Sequence, residues 1–216
     1  MNYGIAADVL SLIFNIAIVV MTAVAMSGFF FRRGGSANMK VENARCFEYF
    51  TVDSNLLVTL TAAVMIFFKA RALLGGPAEI PYWATLLKLV GTTAVFLTFL
   101  VVMLILAPIA GYGYMIEGGS LYMHLITPLA AAVTFIFFDG GPALDAVSIA
   151  LSLIPTFVYG IVYFVMVVIV GEKNGGWEDF YGFNKGGRWY LSVVAMLGMT
   201  AVIALLLRLA HNAFAG

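Results

Sequence analysis

Six long apolar runs, separated by short polar or glycine-rich breaks, set the pattern of this chain. They cover about residues 5–31, 46–68, 82–108, 119–138, 145–171 and 189–212, each near or above the roughly 20 residues that a helix needs to cross a bilayer. The breaks are Arg32-Arg33-Gly34-Gly35-Ser36, Gly75-Gly76-Pro77, Gly118-Gly119, Asp139-Gly140-Gly141-Pro142 and a longer stretch around Gly175-Gly176-Trp177, combinations that interrupt helices. A membrane β-barrel would need segments of about ten residues with alternating polarity. These runs are longer, apolar on every side and rich in leucine, alanine, methionine and phenylalanine. The pattern predicts an all-α, polytopic membrane protein, a single bundle of six transmembrane helices over residues 1–216 with no repeat and no linker. Pro128 and Pro155 fall inside the fourth and fifth runs and predict kinks, which neighbouring helices make tolerable in lipid. The head Met1-Asn2-Tyr3-Gly4 carries no lysine or arginine, and the first apolar run is too long for a signal core, so it reads as a span.

Composition agrees. Apolar residues make up 63% of the chain and charged residues 10%, with a mean hydropathy of +1.03; a soluble domain carries about 25% charged residues. The formal net charge is zero and no basic stripe is present, which excludes a nucleic-acid partner. The face reached after runs one, three and five holds Arg32, Arg33, Lys40, Arg45, Lys173, Lys185 and Arg188, and the other face Lys69, Arg71, Lys88 and Arg208. That excess marks the first face as cytoplasmic and both termini as outside. The one cysteine, Cys46, permits no internal disulfide and reads as a small buried hydrophobe.

Candidate chemistry gathers on the same first face. His124 lies about one turn into the fourth run and Thr51 about two turns into the second, so chain reversal brings them to one side at similar depth. A threonine hydroxyl is a weak nucleophile until an adjacent base takes its proton, and imidazole is the natural base near neutral pH. Glu48, Thr51, Asn55 and Thr59 recur at spacings of three and four, predicting one polar face turned inward; Asp53 and Ser54 point elsewhere. Asn55, Glu48, Asp53 or a tyrosine is placed to orient the ring. Tyr159 and Tyr163, one turn apart, are candidate donors to an oxyanion. The polar stretch Gly171–Arg188, with Trp177, Glu178, Asp179, Phe180 and Tyr181, reads either as an aromatic cap over this site or as an interfacial belt.

Other groups read as structural. Asp139 and Asp145 flank a Gly-Gly-Pro turn as helix caps. Lys88, paired with Thr92 at i, i+4, reads as a snorkelling lysine or a relay partner for an ion path. His211 falls at the opposite membrane face from His124, so the two histidines cannot hold one haem, and the residues imply neither a metal nor a cofactor. Apart from Lys88, the polar groups gather in one half.

The stretch Tyr49-Phe50-Thr51-Val52-Asp53-Ser54-Asn55-Leu56-Leu57 resembles the prokaryotic six-helix relatives of the androgen-induced protein and the androgen-dependent TFPI-regulating protein. The resemblance continues through His124-Leu125-Ile126-Thr127-Pro128, Tyr159 to Tyr163 and the Gly176-Trp177 loop. Animal members of that family are intramembrane hydrolases of fatty acid esters of hydroxy fatty acids that use a threonine and a histidine. By motif, the resemblance implies Thr51 as nucleophile, His124 as base, a membrane fatty ester as substrate and, in a prokaryote, the cytoplasmic membrane as location. The loop departs from the family's tryptophan followed by Tyr-Pro-Phe, reading Trp177-Glu178-Asp179-Phe180-Tyr181-Gly182-Phe183. It also implies both termini in the cytosol, opposite to the charge count. The expected function is therefore an intramembrane lipid-ester hydrolase; the alternative is a small transporter, channel or lipid-binding membrane protein without catalysis.

Overall fold

A computed structural model describes residues 4–31 and 43–215; Arg32, Arg33, Lys40 and the Gly34-Gly35-Ser36 break lie outside them. Six helices are long and apolar enough to cross a membrane: α1 (Ile5–Phe30), α2 (Phe50–Leu73), α3 (Tyr82–Ala110), α4 (Gly119–Phe137), α5 (Val147–Val170) and α6 (Trp189–Phe214). No strand occurs among the described residues. The protein is an all-α multi-pass bundle, as the hydropathy pattern predicts.

α3 is the axis of the bundle, packing against α1's partner α2 on one side and against α4, α5 and α6 on the others. In its most apolar stretch 56% of the residues are buried, against 11% in α5, so α5 stands at the rim with most of its surface available to lipid. The α2–α3 contact is close because Gly91 has no side chain: a Cβ there would lie 2.7 Å from Thr61 Oγ1. Small residues at such crossings let backbones approach where no hydrophobic force between helices operates.

Three prolines shape the spans. Each lacks the N–H that the carbonyl four residues earlier would accept. Ahead of Pro108 the helix widens into a π-turn over Val102–Leu106, and ahead of Pro128 into one over Tyr122–Ile126. Before Pro155 the helix is interrupted at Leu153. The expected kinks at Pro128 and Pro155 are these local departures, and the first contains His124.

The second span begins later than its hydropathy suggests. Asn43–Glu48 forms a 3-10 turn, Tyr49 is extended, and α2 starts at Phe50. Cys46 is fully buried in that turn, beside Ala25, Phe29, Val52 and Met123, and anchors it. Thr51 therefore lies in the first turn of α2, not two turns in. Glu48 drops off the predicted polar face: its carboxylate meets Arg45 Nε at 2.8 Å near the surface. Glu48 would share that face only if one unbroken helix ran from residue 46.

The other half of the bundle is not apolar apart from Lys88. Lys88 does not snorkel; it is 0% exposed, with Nζ 3.6 Å from Asp139 Oδ2 and donating to Asn15 Oδ1. Asp139 does not cap a helix. It turns inward, where Oδ1 accepts from Ser11 Oγ at 2.6 Å and Asn15 Nδ2 at 2.8 Å. Asp145 does act at a helix start, accepting from Ser148 N at 3.2 Å. His211 is buried at this same end, stacked on Phe135 at 4.5 Å with Nδ1 3.1 Å from the Phe135 carbonyl.

Candidate active site beneath an aromatic cap

The segment between α5 and α6 is a folded cap. Gly171 and Gly175 take positive φ values of 71° and 86°, which bend the chain back so that Gly176 N donates to Gly171 O and Trp177 N to Met166 O. Gly176 lies against the Met166 carbonyl so closely that a Cβ would collide with it. Asp179 then organises the turn: Oδ1 accepts from Phe183 N at 2.7 Å and Oδ2 from Asn184 N at 2.8 Å. Tyr163 is the hub on which the cap rests. Its ring centroid lies 5.4 Å from Tyr181, 5.5 Å from Phe183 and 6.0 Å from Trp177, and its hydroxyl donates to Glu178 O at 3.3 Å. These rings pack on one another and on α5, as a cap does, and are not strung along the surface as a belt.

Removing the Asp179 carboxylate should open the cap. Asp179→Ala leaves two backbone N–H groups without acceptors, a loss of about 1–3 kcal/mol each where the groups stay buried. Hydrogen exchange over residues 171–188 should speed up by roughly tenfold or more, since each 1.4 kcal/mol is a factor of ten. Unchanged exchange would show that ring packing alone holds the cap.

Under the cap, between α3, α5 and α6, is a cavity of about 450 Å³, within the size range of small-molecule sites. Its walls are mainly apolar, with Val101, Ile105, Phe157, Phe164 and Met196 among them. Most of the few polar groups on its wall have partners elsewhere. Thr98 Oγ1 bonds Ser54 Oγ at 2.8 Å, Ser192 Oγ donates to Phe183 O at 2.8 Å, and Thr156 Oγ1 accepts from Thr200 Oγ1 at 3.3 Å. Tyr159, also on the wall, donates to Glu48 O at 2.8 Å. Neither Tyr159 nor Tyr163 thus offers a free donor.

Thr51 and Tyr181 are different. Thr51 is 5% exposed and lines the cavity together with Tyr181 and Phe183 of the cap. Tyr181 Oη is buried on the same wall without a close hydrogen bond, and the Thr51 and Tyr159 hydroxyls and the Phe50 backbone lie around it. Burial pushes the Tyr181 phenol up to about 12, against the opposing pull of those hydroxyls, so it is a proton donor throughout the physiological range. In the sequence Tyr181 reads only as one of the cap aromatics. The available signal was a hydroxyl-bearing ring in a loop whose other aromatics, Trp177, Phe180 and Phe183, bear none to offer an ester oxygen except the indole N–H.

His124 is buried in the π-turn of α4, its Nδ1 2.6 Å from the Met115 carbonyl oxygen. A carbonyl only accepts, so Nδ1 carries the proton and Nε2 is left with the lone pair that a base needs. His124 is not among the residues lining the cavity. Asn55 links the two regions: Nδ2 donates to Thr51 O at 2.7 Å and to Met123 O at 3.1 Å, tying α2 to α4 next to His124. The structure thus joins the backbones of Thr51 and Met123 on one amide, and sets Thr51, Tyr181 and the two other tyrosines around one cavity. Glu48 enters only through its carbonyl. Asp53 faces a second, smaller hollow. Among the described residues no three His, Cys or carboxylate groups come together. Comparison with protein-family models, with characterised proteins and with solved structures found no match.

Proposed function

We propose that this protein is an intramembrane hydrolase of single-chain fatty esters, with Thr51 as nucleophile and His124 as general base. The observation that carries the reading is Thr51 on the wall of a mainly apolar cavity, with the buried Tyr181 phenol beside it. An acyl chain entering past the rim helix α5 would leave lipid for apolar walls, with its ester stopped at the hydroxyls. His124 Nε2 takes the proton from Thr51 Oγ as that oxygen attacks the ester carbonyl carbon. Tyr181 donates to the oxyanion that develops. Collapse expels the alkoxide, which takes the proton back from His124, and water then releases the acid from acyl-Thr51 with His124 again as base. The resemblance of the Thr51 and His124 motifs to threonine hydrolases supports the same roles. This chemistry requires His124 Nε2 to reach Thr51 Oγ in the substrate complex, a contact that is often loose without substrate.

A second reading rests on the place of His124 off the cavity wall: a protein that binds a fatty chain beneath the cap without cleaving it. A fluorophosphonate separates the two. Under the hydrolase reading it phosphonylates the peptide bearing Thr51, and the adduct disappears in Thr51→Ala and in His124→Ala. Fatty ester retained in native mass spectra with no adduct on folded wild-type protein would leave the binding reading standing alone.

A further inference from the structure

The second hollow, about 280 Å³, lies between α2, α5 and the cap. It shares Phe50 and Tyr159 with the large cavity but has its own chemistry. Asp53, in the first turn of α2, contributes a carboxylate to it. Phe47, Phe50, Tyr159 and Trp177 are the aromatic residues around it, and the remaining residues are aliphatic except Ser54, whose hydroxyl is engaged with Thr98 and the Thr51 carbonyl. Three of the rings form a connected wall, with Phe50 and Tyr159 centroids 5.1 Å apart and Tyr159 and Trp177 6.4 Å apart. Among the described residues no ion pair or side-chain hydrogen bond reaches Asp53.

A half-buried carboxylate with no counterion among the described residues, set among aromatic faces, asks for a cation that needs little water. Divalent metal ions require several oxygen ligands, and this hollow supplies one carboxylate. An alkylammonium fits: its charge pairs with the carboxylate while its carbon-bound hydrogens lie on ring faces, the arrangement by which quaternary ammonium groups are recognised. Depth selects the source. Asp53 lies at the very start of a spanning helix and Trp177 in the cap above it, the level of lipid headgroups. We propose that this hollow binds the quaternary ammonium headgroup, choline, of a membrane lipid. The site stands whether or not Thr51 is a nucleophile.

The test is retention of lysolipids of one chain length by the full chain in maltoside micelles, read by native mass spectrometry. Lysophosphatidylcholine should be held at least about tenfold more tightly than lysophosphatidylglycerol, a ratio within the range of a desolvated cation–aromatic contact. Asp53→Asn preserves shape and removes charge, and should bring the two lipids within about twofold while leaving lysophosphatidylglycerol retention unchanged. Trp177→Leu should narrow the ratio as well and carries the test alone if the first variant does not fold. No headgroup preference in the wild type, or a preference that survives in either folded variant, overturns the proposal. Tetramethylammonium should compete only at far higher concentration; competition at the lysolipid's own concentration would assign the hollow to a free cation and overturn the lipid source. Because the readout is binding, failure here leaves the Thr51 chemistry untouched, and failure of that chemistry leaves this site untouched.

Discussion

Ester turnover should fall at least about a hundredfold when Thr51 is changed to alanine, and by a comparable factor in His124→Ala, because general-base assistance alone contributes roughly 10²–10⁴ and the nucleophile depends on it. The double variant should be little slower than either single one, since residues acting as one catalytic unit are strongly non-additive. Tyr181→Phe removes a single donor and should lower kcat by about 10²–10³ with KM little changed, the mark of an interaction made in the transition state. Tyr159→Phe should do much less to turnover, because its hydroxyl already serves the Glu48 carbonyl. Folding can be followed in the same samples through Cys46, the chain's one cysteine, which is buried and so reacts with a thiol dye only on unfolding. Medium- and long-chain esters are the substrates to use. Full turnover by folded Thr51→Ala would end the hydrolase reading, and equal losses in Tyr159→Phe and Tyr181→Phe would end the distinct role given to Tyr181.

What the chain's pattern reveals, and what it hides, follows from the physics of lipid. Hydropathy is a strong signal because an unpaired backbone group in hydrocarbon is so costly that only helices or closed barrels cross. Five of the six spans are accordingly legible to within about two residues, and only α2 is displaced, beginning at Phe50 and ending at Leu73 where the pattern gives 46–68. At its start, Cys46 and Phe47 keep the hydropathy high although the backbone is a 3-10 turn, and the error moved Glu48 onto a helical face it does not share. Thr51 was legible as a buried hydroxyl near the loop face, and it does line the cavity. Which neighbour would meet it was not legible. Helical spacing gives a residue's face on its own helix, but the rotation of that helix against the others is set by packing, here by Gly91 on Thr61 and by Asn55 on the Met123 carbonyl. Tyr159 and Tyr163 have the right spacing for donors, yet their hydroxyls hold the Glu48 and Glu178 carbonyls. The phenol without a close hydrogen bond belongs to Tyr181, in a loop whose shape depends on contacts far away in the chain. The same limit hid the polar cluster of the opposite half: Ser11, Asn15, Lys88 and Asp139 come from α1, α3 and the turn after α4, and no local spacing connects them.

That cluster should be the stability lock of the bundle. Lys88→Met removes the ammonium and leaves the Asp139 carboxylate buried, and breaking a buried pair in this way costs about 3–5 kcal/mol. Asp139→Asn keeps an acceptor for Ser11 and Asn15 but leaves the Lys88 ammonium without its counterion, so a loss of similar size is expected. Cys46 labelling on heating would report both as large drops in melting temperature. The double variant, Lys88→Met with Asp139→Asn, buries no net charge and keeps an acceptor for Ser11 and Asn15 Nδ2, losing only the Lys88 bond to Asn15 Oδ1, so it should recover at least half of the summed loss. Strictly additive losses would mean that the two side chains do not interact energetically, whatever their 3.6 Å separation. Hydrolysis should persist in the folded fraction of all three variants. Lys88 lies ten residues before Thr98 on α3, roughly 15 Å along the axis at 1.5 Å per residue, and the core between them holds the buried threonines Thr92 and Thr93 as well as Ile18, Val58, Ala62, Val95 and Ala131. Loss of turnover in folded Lys88→Met would therefore point to energetic coupling between the two polar ends of the bundle.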